Sequence, residues 1–294
     1  MGSLVNEFEN PRDSLDRDYN ARASVAPEVF DAEMRNYRSR SDAARSYMTH
    51  PDVIYDALSG ETLDIYGTSA DLRPVFVFIH GGYWRALSKH DSAFMAPMLS
   101  EHGIATAVLD YTLAPAATLE EIIRQVRAAI AFLAKSGAQY GIDPDRIFVG
   151  GSSAGGHLTG AVISGGWHDD FDVAPNVVKG ALPISGLFHL APLTNSFVQE
   201  WMALDLSRIG PLSPCECLPS AGCPIIVAYA EGEASGFKRQ SKEYFRLWLN
   251  AGFEAELIEV PSRNHFDLPL DLGTEDTTLS KALLALVNGV SSDP

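Results

Sequence analysis

Along most of the chain, apolar residues alternate between short β-rich runs and longer stripes at helical spacing. Pro74-Val-Phe-Val-Phe-Ile79 and Ile104-Ala-Thr-Ala-Val-Leu109 are continuous apolar runs, the pattern of strands buried on both faces of a sheet. Glu61-Thr-Leu-Asp-Ile-Tyr66 alternates in polarity, as a half-buried strand does. Residues 146–149, 177–184, 224–230 and 255–260 complete the predicted strands. Residues 91–102, 118–136, 236–249 and 277–287 read as helices. The stretch 118–136 has the fullest signal. Thr118 and Glu121 form a capping box, Leu119, Ile122, Ile123, Val126, Ile130 and Leu133 share one face, and Gly137 marks the stop. Gly103 is the corresponding stop after residue 102.

Strands alternating with helices imply βαβ units and an α/β fold, with a mostly parallel central sheet covered by helices on both faces. No repeat or low-complexity linker divides the chain, so residues 1–294 are expected to form one domain. Two stretches break the rhythm. Residues 1–58 are rich in charge and sparse in large apolar side chains, apart from a short helix predicted over 25–37. They read as an N-terminal arm or cap. Residues 187–222, rich in Pro and Ser, read as a cap-like insertion after a strand's carboxyl end, where loops overlie the binding crevice of an open α/β sheet.

Composition narrows the function. The apolar fraction of 46% and charged fraction of 20% exclude wholesale disorder. With 38 acidic and 22 basic residues, the net charge of −16 argues against nucleic acid and anionic membrane as partners. A small-molecule substrate is the expected partner; the sequence is silent on oligomeric state and allows a homodimer. The polar, acidic N-terminus has no apolar signal core, and no run reaches the roughly 18 apolar residues of a spanning helix, so a cytoplasmic location is expected. Three cysteines do not make a disulfide scaffold. Cys215-Glu-Cys217 with Cys223 lacks the ligands of a four-coordinate zinc site, so no metal is expected. No nucleotide-binding glycine motif follows a strand, so no cofactor is expected either.

The chemistry is concentrated in a few short segments. Gly151-Ser152-Ser153-Ala154-Gly155 fits G-x-S-x-G, between a predicted strand and a helix-compatible stretch over 156–163. A nucleophilic Ser must project from a sharp strand-to-helix turn, with small residues two positions to either side. That spacing selects Ser153 over Ser152. His80-Gly81-Gly82-Tyr83-Trp84 ends the strand 74–79. Its exposed N–H groups suit an oxyanion hole, to which Ala154, following the nucleophile, adds another. Gly82 and Tyr83 are favoured over Gly81 as donors, and His80 reads as a loop-holding residue. The base must follow the Ser motif at a distance in this arrangement, leaving His168, His189 and His265. His265, in the loop after the strand 255–260, is best placed. The orienting acid should follow the strand 224–230, where Glu231 and Glu233 both stand; Glu233 is better placed to turn inward. Tyr83, Trp84, Phe188 and Trp201 are aromatic candidates for the pocket.

The order HGGYW, DYTLAP, GGSSAGG, a late acid and NHFD resembles the α/β-hydrolases, in particular the hormone-sensitive-lipase-like esterases and the kynurenine formamidases (arylformamidases). Tyr83-Trp84-Arg85, Phe237-Lys-Arg-Gln-Ser241, Asn264-His265-Phe266-Asp267 and Leu15-Asp-Arg-Asp-Tyr-Asn20 are closer to the formamidase branch. The resemblance runs from about Leu63 to the C-terminus, with the arm in addition. It implies the α/β-hydrolase fold and Ser153 as nucleophile, His265 as base and Glu233 as orienting acid. The formamidase pattern usually has Asp where this chain has Glu233, which keeps Glu231 open as a substitute. The implied activity is hydrolysis of an aryl N-formyl amide through an acyl-enzyme. A general short-acyl carboxylesterase is the alternative within the enzyme class, and a non-catalytic ligand-binding protein of the same fold is the alternative outside it.

Overall fold

The computed structural model describes residues 4–289. Eight strands form one sheet in the order β1-β2-β4-β3-β5-β6-β7-β8. They are β1 (Met48–Ile54), β2 (Thr62–Tyr66), β3 (Arg73–Ile79), β4 (Ala105–Leu109), β5 (Ile142–Ser152), β6 (Val178–Ile184), β7 (Ile225–Ala230) and β8 (Ala255–Val260). β2 runs antiparallel to both β1 and β4, and every pairing from β4 to β8 is parallel.

The helices are α1 (Arg12–Tyr19), α2 (Pro27–Ala43), α3 (Ala96–Glu101), α4 (Leu119–Ser136), α5 (Ala154–Ile163), α6 (Gln199–Met202), α7 (Ser235–Asn250) and α8 (Thr278–Gly289). The apolar runs divide between two cores, one on each face of the sheet. β3 sends Val75, Val77 and Ile79 into the core shared with α4, α5 and α7. Its Phe76 and Phe78 enter the other core, with Met98 and Leu99 of α3 and Leu279 and Leu283 of α8. This is the α/β-hydrolase fold.

Several boundaries differ from the sequence reading, each for a local reason. β1 lies inside the stretch read as arm. Its polar, Pro51-containing sequence is tolerated because β1 is an edge strand with irregular register, where a missing N–H costs no ladder bond. The helix expected over 91–102 begins at Ala96, because Pro97 belongs in a first helical turn; a short 3₁₀ helix, Lys89–Asp91, precedes it. Only half of the capping box forms. Thr118 Oγ1 accepts from Glu121 N at 3.3 Å, but the Glu121 carboxylate turns to Arg124 and Gln125. Gly137 is right-handed and passes into another 3₁₀ turn; Gly141, at φ 77°, makes the reversal. The arm holds two helices rather than one, and α2 continues well past residue 37. No helix among the described residues is long and apolar enough to cross a membrane.

Candidate active site

β5 meets α5 at a single residue, Ser153, with φ 60° and ψ −118°. A side chain in that region carries strain of order 1–3 kcal/mol, tolerated only where the surroundings enforce it. Here the enforcement is close backbone packing. A Cβ on Gly151 would lie 2.6 Å from Ile79 O, and one on Gly155 would lie 2.0 Å from the same oxygen. The glycines therefore let β5 and α5 press against the end of β3. Ser153 N donates to Ile184 O at 2.9 Å, pinning the turn to β6 as well.

The loop after β3 is equally constrained. Gly82, Tyr83, Trp84 and Leu87 all have positive φ. A Cβ on Gly82 would sit 2.2 Å from Ala86 O, so no other residue fits there. Tyr111 supports the loop by donating its hydroxyl to His80 O at 3.1 Å and Gly81 O at 3.2 Å. The His80 ring stacks on Tyr111 at 4.2 Å, and its Nδ1 lies 3.0 Å from Gly81 O. Burial depresses the pKa of His80. The N–H groups of Gly82 and Tyr83 have no acceptor among the described residues. Ala154 occupies the first position of α5, whose N–H has no intrahelical partner.

The third component comes from the loops after β7 and β8. His265 Nδ1 lies 2.7 Å from Glu233 Oε2, with both side chains buried. Glu231 points elsewhere: its Oε2 accepts from Ser262 N at 2.9 Å on the exposed side of the loop. Asn264 and Asp267 fix the turn that carries His265. Asn264 Oδ1 accepts from Phe266 N at 2.8 Å, and Asp267 Oδ1 accepts from Asn264 N at 2.7 Å. Phe237, at the start of α7, packs on the imidazole at 4.5 Å.

Ser153, His265, Gly81, Gly82 and Tyr83 line one cavity of about 450 Å³. Among the described residues no hydrogen bond joins Ser153 Oγ to His265, a contact that commonly tightens only when substrate binds. The large side chains in the rest of the wall are mainly aromatic and come from far apart in the chain. Phe30 and Tyr37 belong to α2, Phe197 and Trp201 to the insertion, and Phe266 to the His265 loop.

The arm is held down by specific contacts. The Arg239 guanidinium pairs with Glu7 and with Asp18, the latter at 2.8 Å. Tyr19 donates to Glu7 at 2.9 Å and accepts from the buried Gln240 at 2.9 Å. The Tyr83 hydroxyl donates to Tyr19 O. Asp16 accepts from Phe197 N at 2.6 Å, joining arm to insertion. Sequence predicts cover from these stretches but not these pairings, which, Tyr19–Glu7 apart, join residues 64 or more positions away from each other.

Other sequence candidates lie elsewhere. Trp84 does not line the cavity. The left-handed turn at Tyr83 and Trp84 sends the indole into the core, where its N–H donates to His157 Nδ1 at 3.3 Å. His157 Nε2–H donates to Leu212 O at 2.8 Å, and burial lowers its pKa to about 4. Phe188 stacks face to face on Tyr244 at 4.1 Å, away from the cavity. His168 stacks on Trp167. Of the thiols, Cys215 comes together with His189 and Glu216, their ligand atoms within 4.8 Å of one another, a grouping that spacing alone did not suggest. Burial, aided by Glu216, pushes the Cys215 thiol up to about 12.

The strand order, the strained Ser at the β5–α5 turn and the paired His265 and Glu233 define an α/β-hydrolase, a hydrolytic enzyme. The BD-FAE family model matches residues 63–177. The kynurenine formamidase of Danio rerio is 31% identical over 89% of this chain and 90% of its own length. The chain belongs to the kynurenine formamidase family. An isoprenylcysteine alpha-carbonyl methylesterase of Arabidopsis thaliana is also 31% identical, over 74% of this chain and 56% of that protein. In fold, the chain is similar to the hyperthermophilic esterase of Pyrobaculum calidifontis, with a TM-score of 0.72, 18% identity and coverage of 95% of this chain and 97% of that one.

Proposed function

We propose that this enzyme hydrolyses an aryl N-formyl amide through an acyl-enzyme formed on Ser153. The observation that carries the reading is the 2.7 Å contact between His265 and the buried Glu233, on the wall of the cavity that also holds Ser153. Glu233 fixes the tautomer with hydrogen on Nδ1, which leaves Nε2 as the basic nitrogen. Nε2 takes the Ser153 hydroxyl proton as Oγ adds to the formyl carbon. The N–H groups of Gly82, Tyr83 and Ala154 receive the oxyanion. His265 passes the proton to the departing aryl amine, the C–N bond breaks and a formyl ester remains on Ser153. Water, deprotonated by the same imidazole, then releases formate and restores the hydroxyl.

The aromatic wall supports an aryl leaving group, since flat rings bury large area against such surfaces. Family membership supports the formyl amide. A second reading, hydrolysis of short-acyl esters by the same residues, is favoured by the similarity to the methylesterase. Turnover of N-formyl aryl amines measured beside aryl acetates tests the choice. A formamide advantage in kcat/KM supports the first reading, and an ester advantage replaces it with the second. A fluorophosphonate probe should label Ser153; an unlabelled protein would overturn both.

A further inference from the structure

We propose that His189, Cys215 and Glu216 form a site for a zinc-like divalent cation that staples the neck of the insertion. The site lies outside the cavity of Ser153 and does not depend on the reaction proposed above. One ring nitrogen of His189, the Cys215 Sγ and a Glu216 carboxylate oxygen lie within 4.8 Å of one another. His189 Nε2 and Glu216 Oε1 are 3.3 Å apart. Zinc bonds of about 2.0–2.2 Å to nitrogen and oxygen place tetrahedral ligands about 3.3–3.5 Å apart, so this edge is already set. Cys215 and Glu216 are both partly exposed, and a small rotation of their side chains closes the triangle. Imidazole, thiolate and carboxylate are ordinary zinc ligands, and with one water they make a four-coordinate set. Sequence counts only the three thiols and finds too few ligands. The fold substitutes His189 and Glu216 for two of them, while Cys217 turns to Gly210 O at 3.5 Å and Cys223 lines a separate small cavity.

The surroundings suit a cation. Gln240 locks the backbone of His189 on both sides: its Oε1 accepts from His189 N and its Nε2 donates to His189 O, each at 2.8 Å. The Glu216 side chain is 46% exposed, which gives an ion a route from solvent and room for a water ligand. The buried Tyr244 hydroxyl has no hydrogen-bond partner among the described residues and stands in the field of Cys223, Cys215 and Cys217. A metal-bound thiolate is the kind of acceptor it lacks, and such outer partners orient metal ligands. As the cation binds, the Cys215 S–H proton passes to solvent and the sulfur gives an electron pair to the metal. His189 takes the tautomer with hydrogen on Nδ1, which frees Nε2. The ligands come from the two ends of the insertion: His189 follows β6, and Cys215 and Glu216 sit on the 3₁₀ turn Pro214–Glu216. These ends already meet, with Cys215 N donating to Phe188 O at 3.0 Å and Leu190 N to Ser213 Oγ at 3.1 Å. A cation bridging the same neck cross-links the loop that carries Phe197 and Trp201.

The test uses the full chain, stripped with a chelator and titrated with Co²⁺ and then Zn²⁺. Co²⁺ should show a thiolate-to-cobalt charge-transfer band and the strong visible absorption of a four-coordinate site, and Zn²⁺ should abolish both. Cys215→Ser should lose the charge-transfer band, and His189→Gln should weaken cobalt binding by about tenfold or more. Cys217→Ser and Cys223→Ser should keep the band. Zn²⁺ should raise the melting temperature of the wild type by a few degrees and that of Cys215→Ser by less. Zinc taken up by His265 and Glu233 would give no such band, since no thiol lines that cavity. X-ray absorption of the zinc-loaded wild type needs no variant and should count one sulfur among the zinc's neighbours. A wild type without the band, a band that survives in Cys215→Ser, or a sulfur count other than one would overturn the proposal and leave the cluster as a hydrogen-bonded neck.

Discussion

The turn at Ser153 and the wall of the cavity are built in opposite ways. The turn is local. Gly151, Ser153 and Gly155 are near neighbours in the chain, and backbone atoms at the end of β3 and the start of α5 decide what fits between them. The wall is assembled across the whole molecule, with Phe30 from the arm, Trp201 from the insertion and Phe266 from a late loop meeting over the nucleophile. On the proposed mechanism the turn holds the attacking oxygen through steric necessity, and the wall selects what reaches it through side-chain contacts. Reaction and selectivity are therefore separable in this fold, and substitutions should sort accordingly.

The largest effect belongs to the turn. Ser153→Ala removes the attacking oxygen and should lower kcat for every substrate by about 10⁴-fold or more, with little change in melting temperature. A loss confined to one substrate class would break the division between reaction and selectivity. Next comes the acid. Glu233→Gln should cost about 10²–10⁴-fold in kcat, because an amide no longer fixes the tautomer of His265 or balances its charge. Glu231→Gln should stay within about twofold, as exposed substitutions usually do. If the two variants were to exchange these values, the assignment of the acid to Glu233 would fail. Single-turnover kinetics on both variants would decide it.

A third prediction concerns the scaffold behind the turn. His157, on α5, is buried as the neutral ring, accepting from Trp84 and donating to Leu212. Its pKa is lowered by burial to about 4 from an ordinary value of 6.5. Between these values the unfolded chain binds a proton that the folded chain refuses, so stability rises with pH across the window. The contribution is fully present above pH 6.5 and is lost as the pH falls toward 4, amounting to about 3 kcal/mol at most. Burial shifts His80 in the same direction, so it adds to the slope. Denaturant midpoints of the wild type should fall over this range, and those of His157→Gln should fall less. A parallel decline in the two proteins would show that this ring is not what couples the α5 scaffold to pH.

The same division explains what could be read from sequence. β3, β4 and β7 were legible because strands buried on both faces must be apolar throughout. Ser153 was legible because the steric demand on it falls on residues two positions away. The choice between Glu231 and Glu233 turned on which way a loop faces, a preference that spacing can state and only coordinates can check. β1 was missed because an edge strand tolerates polar residues and Pro51. α1 was missed because its apolar signal is only Leu15 and Tyr19, whose burial depends on α7 and the insertion. Trp84 reads from sequence as a pocket residue because the left-handed turn that sends it into the core leaves no trace in a hydrophobic pattern. Contacts such as Asp16 to Phe197 or Glu7 to Arg239 were beyond reach, since nothing local marks either partner.

The smallest predicted effect sharpens the comparison from the side of the wall. Arg239 lies on α7, outside the cavity, and touches neither Ser153 nor His265. It holds Glu7 and Asp18, and so the end of α1 that leads into the cavity-lining residues Asn20, Ala21 and Arg22. The Arg239 side chain is 40% exposed, so the pairing should contribute only about 1 kcal/mol to the seating of the arm. Arg239→Gln should then raise KM by about fivefold or less while kcat changes little, because the wall loosens and the turn does not. High salt should reproduce part of the rise in the wild type and add little to the variant. A fall in kcat with KM unchanged would mean that the arm helps to position the reacting groups, and that the turn and the wall are less independent than their construction implies.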